Sequence, residues 1–487
     1  MNVSQHTSTK DRVLVIGGGL AGMYAAIAAW ETGAKVTIFS KGKVGASGNS
    51  LVAMSVHRFA PDAPGLREEY RGRFLASGAG EQIPDTAEFF VNQAAPAMER
   101  LRRYGFPLEY RGLEEAGEKY PYLACCNPKR GAILTKAVRN YIDEHSDIEI
   151  REGVTVCDIV IRQGRACGIL LEEDNALHYY PGRSVVLAVG GAGNIYAATS
   201  NTSDVTGDGY AMALRCGLPL VGMEFVQFYP YRIYSPGRAD IFPDVFEHGA
   251  VFRNEKGERF MDCPAYPKKE LENRDVVARA MYGQQEVHLD LSQCDMTYLE
   301  RECPNIAKMY YDNPGKPLLL RPVAHFFMGG VPLRTDCSTD VEGLFVCGEV
   351  AGGLHGANRL AGSALSETVL FSPIAGANAA ACPPVQDDSC PGELGADYPE
   401  MGADDLHPLR DRLRAVMWSN AALLRNREGL EHALVEINNI NDDLCKLKPA
   451  RLKHWIQLRN MLLTSASVVK AAIAREKSLG AHCRTDP

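Results

Sequence analysis

The stretch "RVLVIGGGLAGMYAAIAAWETGAKVTIFSKG", beginning at Arg12, constrains this chain more than any other. Val13 to Ile16 is an unbroken apolar run of strand length. A glycine turn follows, then an Ala-rich helix to about Thr32, then a second strand from Lys35 to Phe39. Gly17-x-Gly19-x-x-Gly22 stands where strand passes into helix, the context in which a glycine fingerprint binds a dinucleotide. There the glycines permit a tight turn and close backbone approach, and the helix N-terminus faces a pyrophosphate. The acidic residue expected after the second strand is absent. Ser40 stands there instead, and a hydroxyl can still meet a ribose.

Two distant segments extend this unit. Ser184 to Val189 reads as a strand ending in Gly190 and Gly191, and "GLFVCGE", Gly343 to Glu349, as another. The three pieces predict one sheet assembled from separate parts of the chain. Glu349 is placed to accept a hydrogen bond from a sugar hydroxyl; its ordinary alternative is a carboxylate favouring a helix N-terminus. Two nucleotide contacts so far apart favour FAD over a lone nicotinamide.

At 487 residues the chain predicts two or three domains. The segment 231–322 is rich in charge and turn signals and suits an inserted domain. Residues 386–406 are rich in Pro, Gly and Asp and read as a linker, and 407–487 follow helical periodicity. The expected division is a discontinuous nucleotide-binding domain (1–230 and 323–385), an inserted domain (231–322), the linker, and a terminal helical domain. The fold class is α/β: a Rossmann-like domain with an inserted α+β domain and a C-terminal helical domain.

The net charge of −8 argues against nucleic-acid or anionic-membrane surfaces. No apolar run reaches membrane-spanning length, and the polar N-terminus "MNVSQHTSTKDR" predicts a cytoplasmic protein. Fourteen cysteines include no C-x-x-C pair, only adjacent Cys125 and Cys126, so neither an iron–sulfur cluster nor a structural metal site is expected. A one-electron relay would have to come from another molecule. Homo-oligomerisation is left open.

Taken in order, "VIGGGLAGMYAA", "VVLAVGGAGNIY", "TGDGYAMAL", "MEFVQF", "GERFMD", "RDVVARA", "HFFMGGV", "GLFVCGE" and "HGANRLAG" resemble the flavoprotein-subunit family of fumarate reductase and succinate dehydrogenase. That family includes L-aspartate oxidase and the adenylylsulfate reductase alpha subunit. The resemblance covers nearly the whole chain. It implies an FAD domain interrupted by a mobile cap, a helical domain, and an active site where cap and FAD domain meet. It implies cofactor contacts at Gly17, Gly19, Gly22, Ser40, Lys41, Ser47, Asn49, Gly190, Asp208, Glu349, Ser363 and Leu365.

By the same resemblance Arg359 clamps a substrate carboxylate, a task suited to its planar, permanently charged fork. His355 and His325 bind or polarise the substrate, and Arg274 is the proton-shuttling arginine. Read alone, Arg274 is a helix-face ion-pair partner and His325 a core imidazole.

The chain departs from the pattern in several places. Dicarboxylate enzymes of the family carry a Q-x-H-P histidine where "VQFYPYR" has Tyr229, expected to shape a different pocket. The Thr-Glu-Gly-x-Arg-Gly loop is missing from "DIFPDVFEHGAVFRNEKGERFM". These residues hold a second carboxylate, so plain succinate or fumarate chemistry is not expected. Asn49 aligns with the histidine that links FAD covalently, which predicts non-covalent FAD. The expected activity is hydride transfer between flavin N5 and a carbon of a small carboxylate substrate. Three rivals are amine oxidation with oxygen, as in L-aspartate oxidase; a flavoprotein subunit fed by an iron–sulfur partner; and a non-catalytic flavin-binding scaffold.

Overall fold

The computed structural model describes residues 1, 3–6, 9–60, 64–106, 109–115, 118–124, 131–392 and 394–486. Five parallel strands form the central sheet, in the spatial order Leu344–Val346, Ser184–Leu187, Arg12–Ile16, Lys35–Ser40 and Glu149–Glu152. The three pieces read as strands from distant parts of the sequence therefore lie side by side. Val13, Leu14 and Val15 are fully buried, as parallel sheets covered on both faces require. One face carries the helices Leu20–Glu31 and Ser363–Ala381; the other meets an antiparallel sheet that includes Thr155–Arg162, Arg165–Glu173 and Ala176–Pro181. The two helices cross so closely that a Cβ at Gly376 would sit 1.9 Å from the Ala25 carbonyl oxygen.

The inserted domain is built on a second sheet, in the order Ala239–Asp240, Val226–Ser235, Leu318–Phe327, Val287–Asp290 and Val251–Asn254, antiparallel throughout. Helix Arg274–Tyr282 packs on strand Val226–Ser235. Tyr231, Phe252, Met261, Val277 and Leu289 belong to a core separate from that of the nucleotide-binding domain. The expected cap boundaries, after 230 and after 322, fall inside the two longest strands of this sheet. Those strands run continuously out of the FAD domain because their hydrogen-bonded pairing does not stop at the domain border.

Three helices, His407–Ala421, Arg427–Leu444 and Leu452–Ala474, pack together as the anticipated terminal bundle. The last lies against helix Asp208–Arg215, and Asn460 there donates to the Asp208 carboxylate at 2.7 Å. Among the described residues no helix is long and apolar enough to cross a membrane. The described cysteines are free thiols, and Cys125 and Cys126 lie outside the described residues.

Candidate active site

One cavity of about 830 Å³ runs from the glycine turn past Asn49 and Glu349 to Arg274, His325 and Arg359 at the cap. At its start Gly17 has φ +118°, and a Cβ there would lie 2.1 Å from the Ala188 carbonyl oxygen. A Cβ at Gly22 would lie 1.9 Å from the Gly17 carbonyl oxygen. Strand Ser184–Leu187 stops short of the expected Val189, and the chain from Ala188 to Gly190 forms part of the cavity wall. Close-packed backbone therefore forms the wall at the turn itself, which fits a dinucleotide lying against it.

Ser40, Lys41, Ser47, Asn49, Gly190, Asp208, Glu349 and Leu365 also line the cavity. Lys41 pairs with Asp208 at 2.6 Å and also donates to Thr206 Oγ1 at 2.8 Å. Burial pushes the Asp208 carboxyl up, but the Lys41 ammonium and bonds from Asn460 and Thr206 hold it below the usual carboxylate range. The pair thus ties the cofactor end of the cavity to the helical domain. Burial lifts Glu349 to about 7, against the Phe327 backbone N–H (3.1 Å) and the Asn49 amide (3.3 Å) that favour its charge.

At the other end two guanidiniums meet one neutral acceptor. Gln227 Oε1 accepts from Arg359 Nη2 at 2.9 Å and from Arg274 Nη1 at 3.3 Å. Its Nε2 donates to Asn358 Oδ1 at 3.0 Å and to the Arg359 carbonyl at 2.9 Å. Asn358 in turn donates to Asp275 at 2.9 Å, joining the loop before helix Ser363–Ala381 to the cap helix Arg274–Tyr282. Neither Arg274 nor Arg359 forms an ion pair with a carboxylate among the described residues. Arg359 is 8% exposed, its Nε has no partner, and its guanidinium lies 4.4 Å from the centre of the Phe326 ring. Burial, and then the Arg274 charge, push it down to about 9.

His325 faces the same space. Its Nδ1 bonds the Ser200 hydroxyl at 2.8 Å, and its ring stacks on Tyr229 at 4.8 Å between centroids. Burial, then Arg359 and Arg274, hold its pKa well below the usual histidine value, so the imidazole is neutral at physiological pH. Tyr229 also lies under Arg274, 5.0 Å from guanidinium carbon to ring centre. Its hydroxyl is spent on the Ile241 carbonyl at 2.5 Å, so it presents a ring face to the site.

Two expected residues stand elsewhere. His355 does not line the cavity: its Nε2 bonds Glu367 at 2.8 Å, and the Phe74 and Phe326 rings flank it. It is a buried, paired core histidine, because the loop turns its ring inward toward helix Ser363–Ala381. Ser363 is fully buried, does not line the cavity, and donates to the Leu360 carbonyl at 2.6 Å, as a first-turn hydroxyl does. Gln227, Ser200 and Asn201 were not foreseen. Gln227 lies two residues before Tyr229 on one strand and so on the same face, a signal the alternation carries. Ser200 and Asn201 give no such signal; the tertiary fold alone sets Asn201 Nδ2 2.8 Å from the His325 carbonyl.

The family described as FAD binding domain matches residues 12–365, and that described as fumarate reductase flavoprotein C-term matches residues 410–487. An uncharacterised FAD-dependent oxidoreductase of Methanocaldococcus jannaschii is 31% identical over 98% of this chain and 94% of its own. A subunit of the fumarate reductase (CoM/CoB) of Methanothermobacter marburgensis is 32% identical, covering 97% and 94%. An L-aspartate oxidase of Halobacterium salinarum is 30% identical, covering 98% and 97%. Among solved structures, a single-substitution variant of the E. coli quinol fumarate reductase FrdA superposes with a TM-score of 0.88 at 25% identity, over 100% of this chain and 92% of that one.

Proposed function

The chain belongs to the fumarate reductase and succinate dehydrogenase flavoprotein family and is an FAD-dependent oxidoreductase, and on that premise we propose that its substrate is a small carboxylate other than plain succinate or fumarate. The carrying observation is the buried, carboxylate-free Arg359 sharing Gln227 with Arg274 at the end of the cofactor cavity. FAD, when bound, supplies a two-electron centre that gives or takes a hydride at a substrate carbon. Arg359 anchors the carboxylate, the neutral His325 orients it, and Arg274 gives or takes the accompanying proton at the neighbouring carbon. The Asn358 link between loop and cap helix supports a closed cap that excludes water.

The cap end of the cavity argues against a second substrate carboxylate. Asp240, Asp244, Glu247 and Glu272 line it, with Lys268 and Arg274 as the basic residues beside them. Arg232 neutralises Asp240 at 2.8 Å and the Tyr298 hydroxyl donates to Asp244 at 2.5 Å, but the three remaining carboxyls still outnumber the two basic side chains, so a dianion would meet like charge there. Asn49, an amide, cannot form the covalent flavin link of the histidine-bearing relatives, so FAD is held non-covalently. The L-aspartate oxidases among the relatives support a second reading, amine oxidation with oxygen as acceptor.

The test is anaerobic. The flavin of the purified protein is reduced, and reoxidation is followed with a panel of unsaturated monocarboxylates and dicarboxylates, and separately with oxygen. Rapid reoxidation by a monocarboxylate enoate, lost in Arg274→Ala, is expected. Reoxidation by oxygen alone, with reduction by an amino acid, would replace this reading with the oxidase one.

A further inference from the structure

A second cavity, of about 490 Å³, opens where the cap sheet, the loop 194–206 and the helices His407–Ala421 and Leu452–Ala474 meet. Arginines 232, 238, 321, 410 and 414 line it, together with His407 and His454, and no acidic residue is among its described lining residues. This stands out in a chain of net charge −8. The available carboxylates do not match the cations. Arg232 takes Asp240 at 2.8 Å, Arg410 and Arg414 share Asp411 at 3.3 and 3.9 Å, and His407 Nδ1 lies 2.7 Å from Asp405. Arg238 and Arg321 have no carboxylate partner among the described residues, and Arg321 lies over the Tyr234 ring at 5.0 Å. Ser203 and Gln457, also on the wall, make no side-chain hydrogen bond among the described residues and remain available as donors.

Cations held on several separate segments around one concavity repel one another, and a multiply charged anion relieves that repulsion. Guanidinium forks fit tetrahedral oxyanions, and their spread over separate segments suits a chain of phosphoryl groups better than a single carboxylate. The volume accommodates a small molecule and not a folded partner. We propose that this cleft is a second ligand site, separate from the cofactor cavity, that binds a small polyphosphate anion, either free or as the tail of a nucleotide. The two cavities share Asn201, which holds the His325 carbonyl, and Thr206 on the cleft wall bonds Asp208 on the cofactor side. Occupancy would therefore reach the catalytic end through side chains already in contact.

The test uses the FAD-loaded protein at low ionic strength, titrated calorimetrically with tripolyphosphate and separately with ATP, against sulfate at matched ionic strength. One saturable site per chain is expected, weakened about tenfold or more by Arg238→Ala and by Arg321→Ala, the scale of one charge-assisted contact. Both side chains are exposed and lack an acidic partner, so unchanged thermal midpoints in these variants confirm intact folding. Arg427→Ala, an exposed arginine outside the cleft, leaves binding unchanged. Tighter binding of ATP identifies a nucleotide, and equal binding a free polyphosphate. Absence of saturable binding, binding unaffected by either cleft substitution, or sulfate bound as tightly as tripolyphosphate would overturn the proposal.

Discussion

Replacing Arg359 with methionine should make the substrate-free protein more stable and nearly abolish carboxylate recognition. Burial, and then the Arg274 charge, push the guanidinium from its ordinary value down to about 9, which at about 1.4 kcal/mol per tenfold corresponds to roughly 5 kcal/mol of unfavourable charge burial. Its contact with the Phe326 ring returns about 1 kcal/mol, and the charge-assisted bond to Gln227 about 2 kcal/mol. A surplus of roughly 2 kcal/mol remains, which a polar substrate-binding site holds for function. Methionine fills similar space without the charge. Gln227 Oε1 keeps Arg274 as donor at 3.3 Å, so no acceptor is orphaned. Thermal unfolding of the FAD-loaded protein, with and without a carboxylate ligand, reads both halves. The variant should unfold a few degrees higher without ligand, show no ligand-induced shift, and lose about 10²–10³-fold in kcat/KM, the scale of removing one partner of a buried charge pair. A variant less stable than the parent by about 2 kcal/mol or more, or one that keeps the carboxylate shift, would refute the reasoning and return Arg359 to a structural role.

Other outcomes follow from the same geometry. Tyr229→Phe leaves the Ile241 carbonyl without its 2.5 Å donor but keeps the ring under Arg274 and against His325; unfolding should reveal a loss of about 1–2 kcal/mol, with catalysis within a few-fold of the parent. Glu349 sits at about 7 in the unliganded protein. If cofactor binding favours its ionised form, FAD affinity of the apoprotein rises as pH rises toward 7, by up to about tenfold per unit, and levels off above it. Flavin fluorescence titration of parent and Glu349→Gln checks this, since the variant should lose that slope. Arg425 is 1% exposed and bonds the Ala422 carbonyl (2.8 Å), the Glu224 carbonyl (2.7 Å) and His482 Nδ1 (2.8 Å). Arg425→Met should cost about 3–5 kcal/mol and expose residues 475–486 to limited proteolysis, because three buried acceptors lose one shared donor.

The strand–glycine–helix unit, the assembly of one sheet from distant segments and the terminal bundle are all written in local patterns of the chain. These were legible because unbroken apolar runs and glycines at a forced turn are local properties that survive without contacts; Arg274 and Arg359 stood out only through the resemblance carried by the ordered motifs. The tertiary structure decided where loop side chains point. It turned His355 toward Glu367 and Ser363 toward Leu360, set Gln227 between two arginines, and brought Ser200 and Asn201 onto His325 from more than a hundred residues away. It also continued the two longest cap strands through the expected domain borders. Side-chain direction in a loop follows from what packs around it, and no periodicity in the chain encodes that. The charge surplus of the second cleft has the same origin: its arginines are scattered along the sequence and meet only when cap and helical bundle close over one loop.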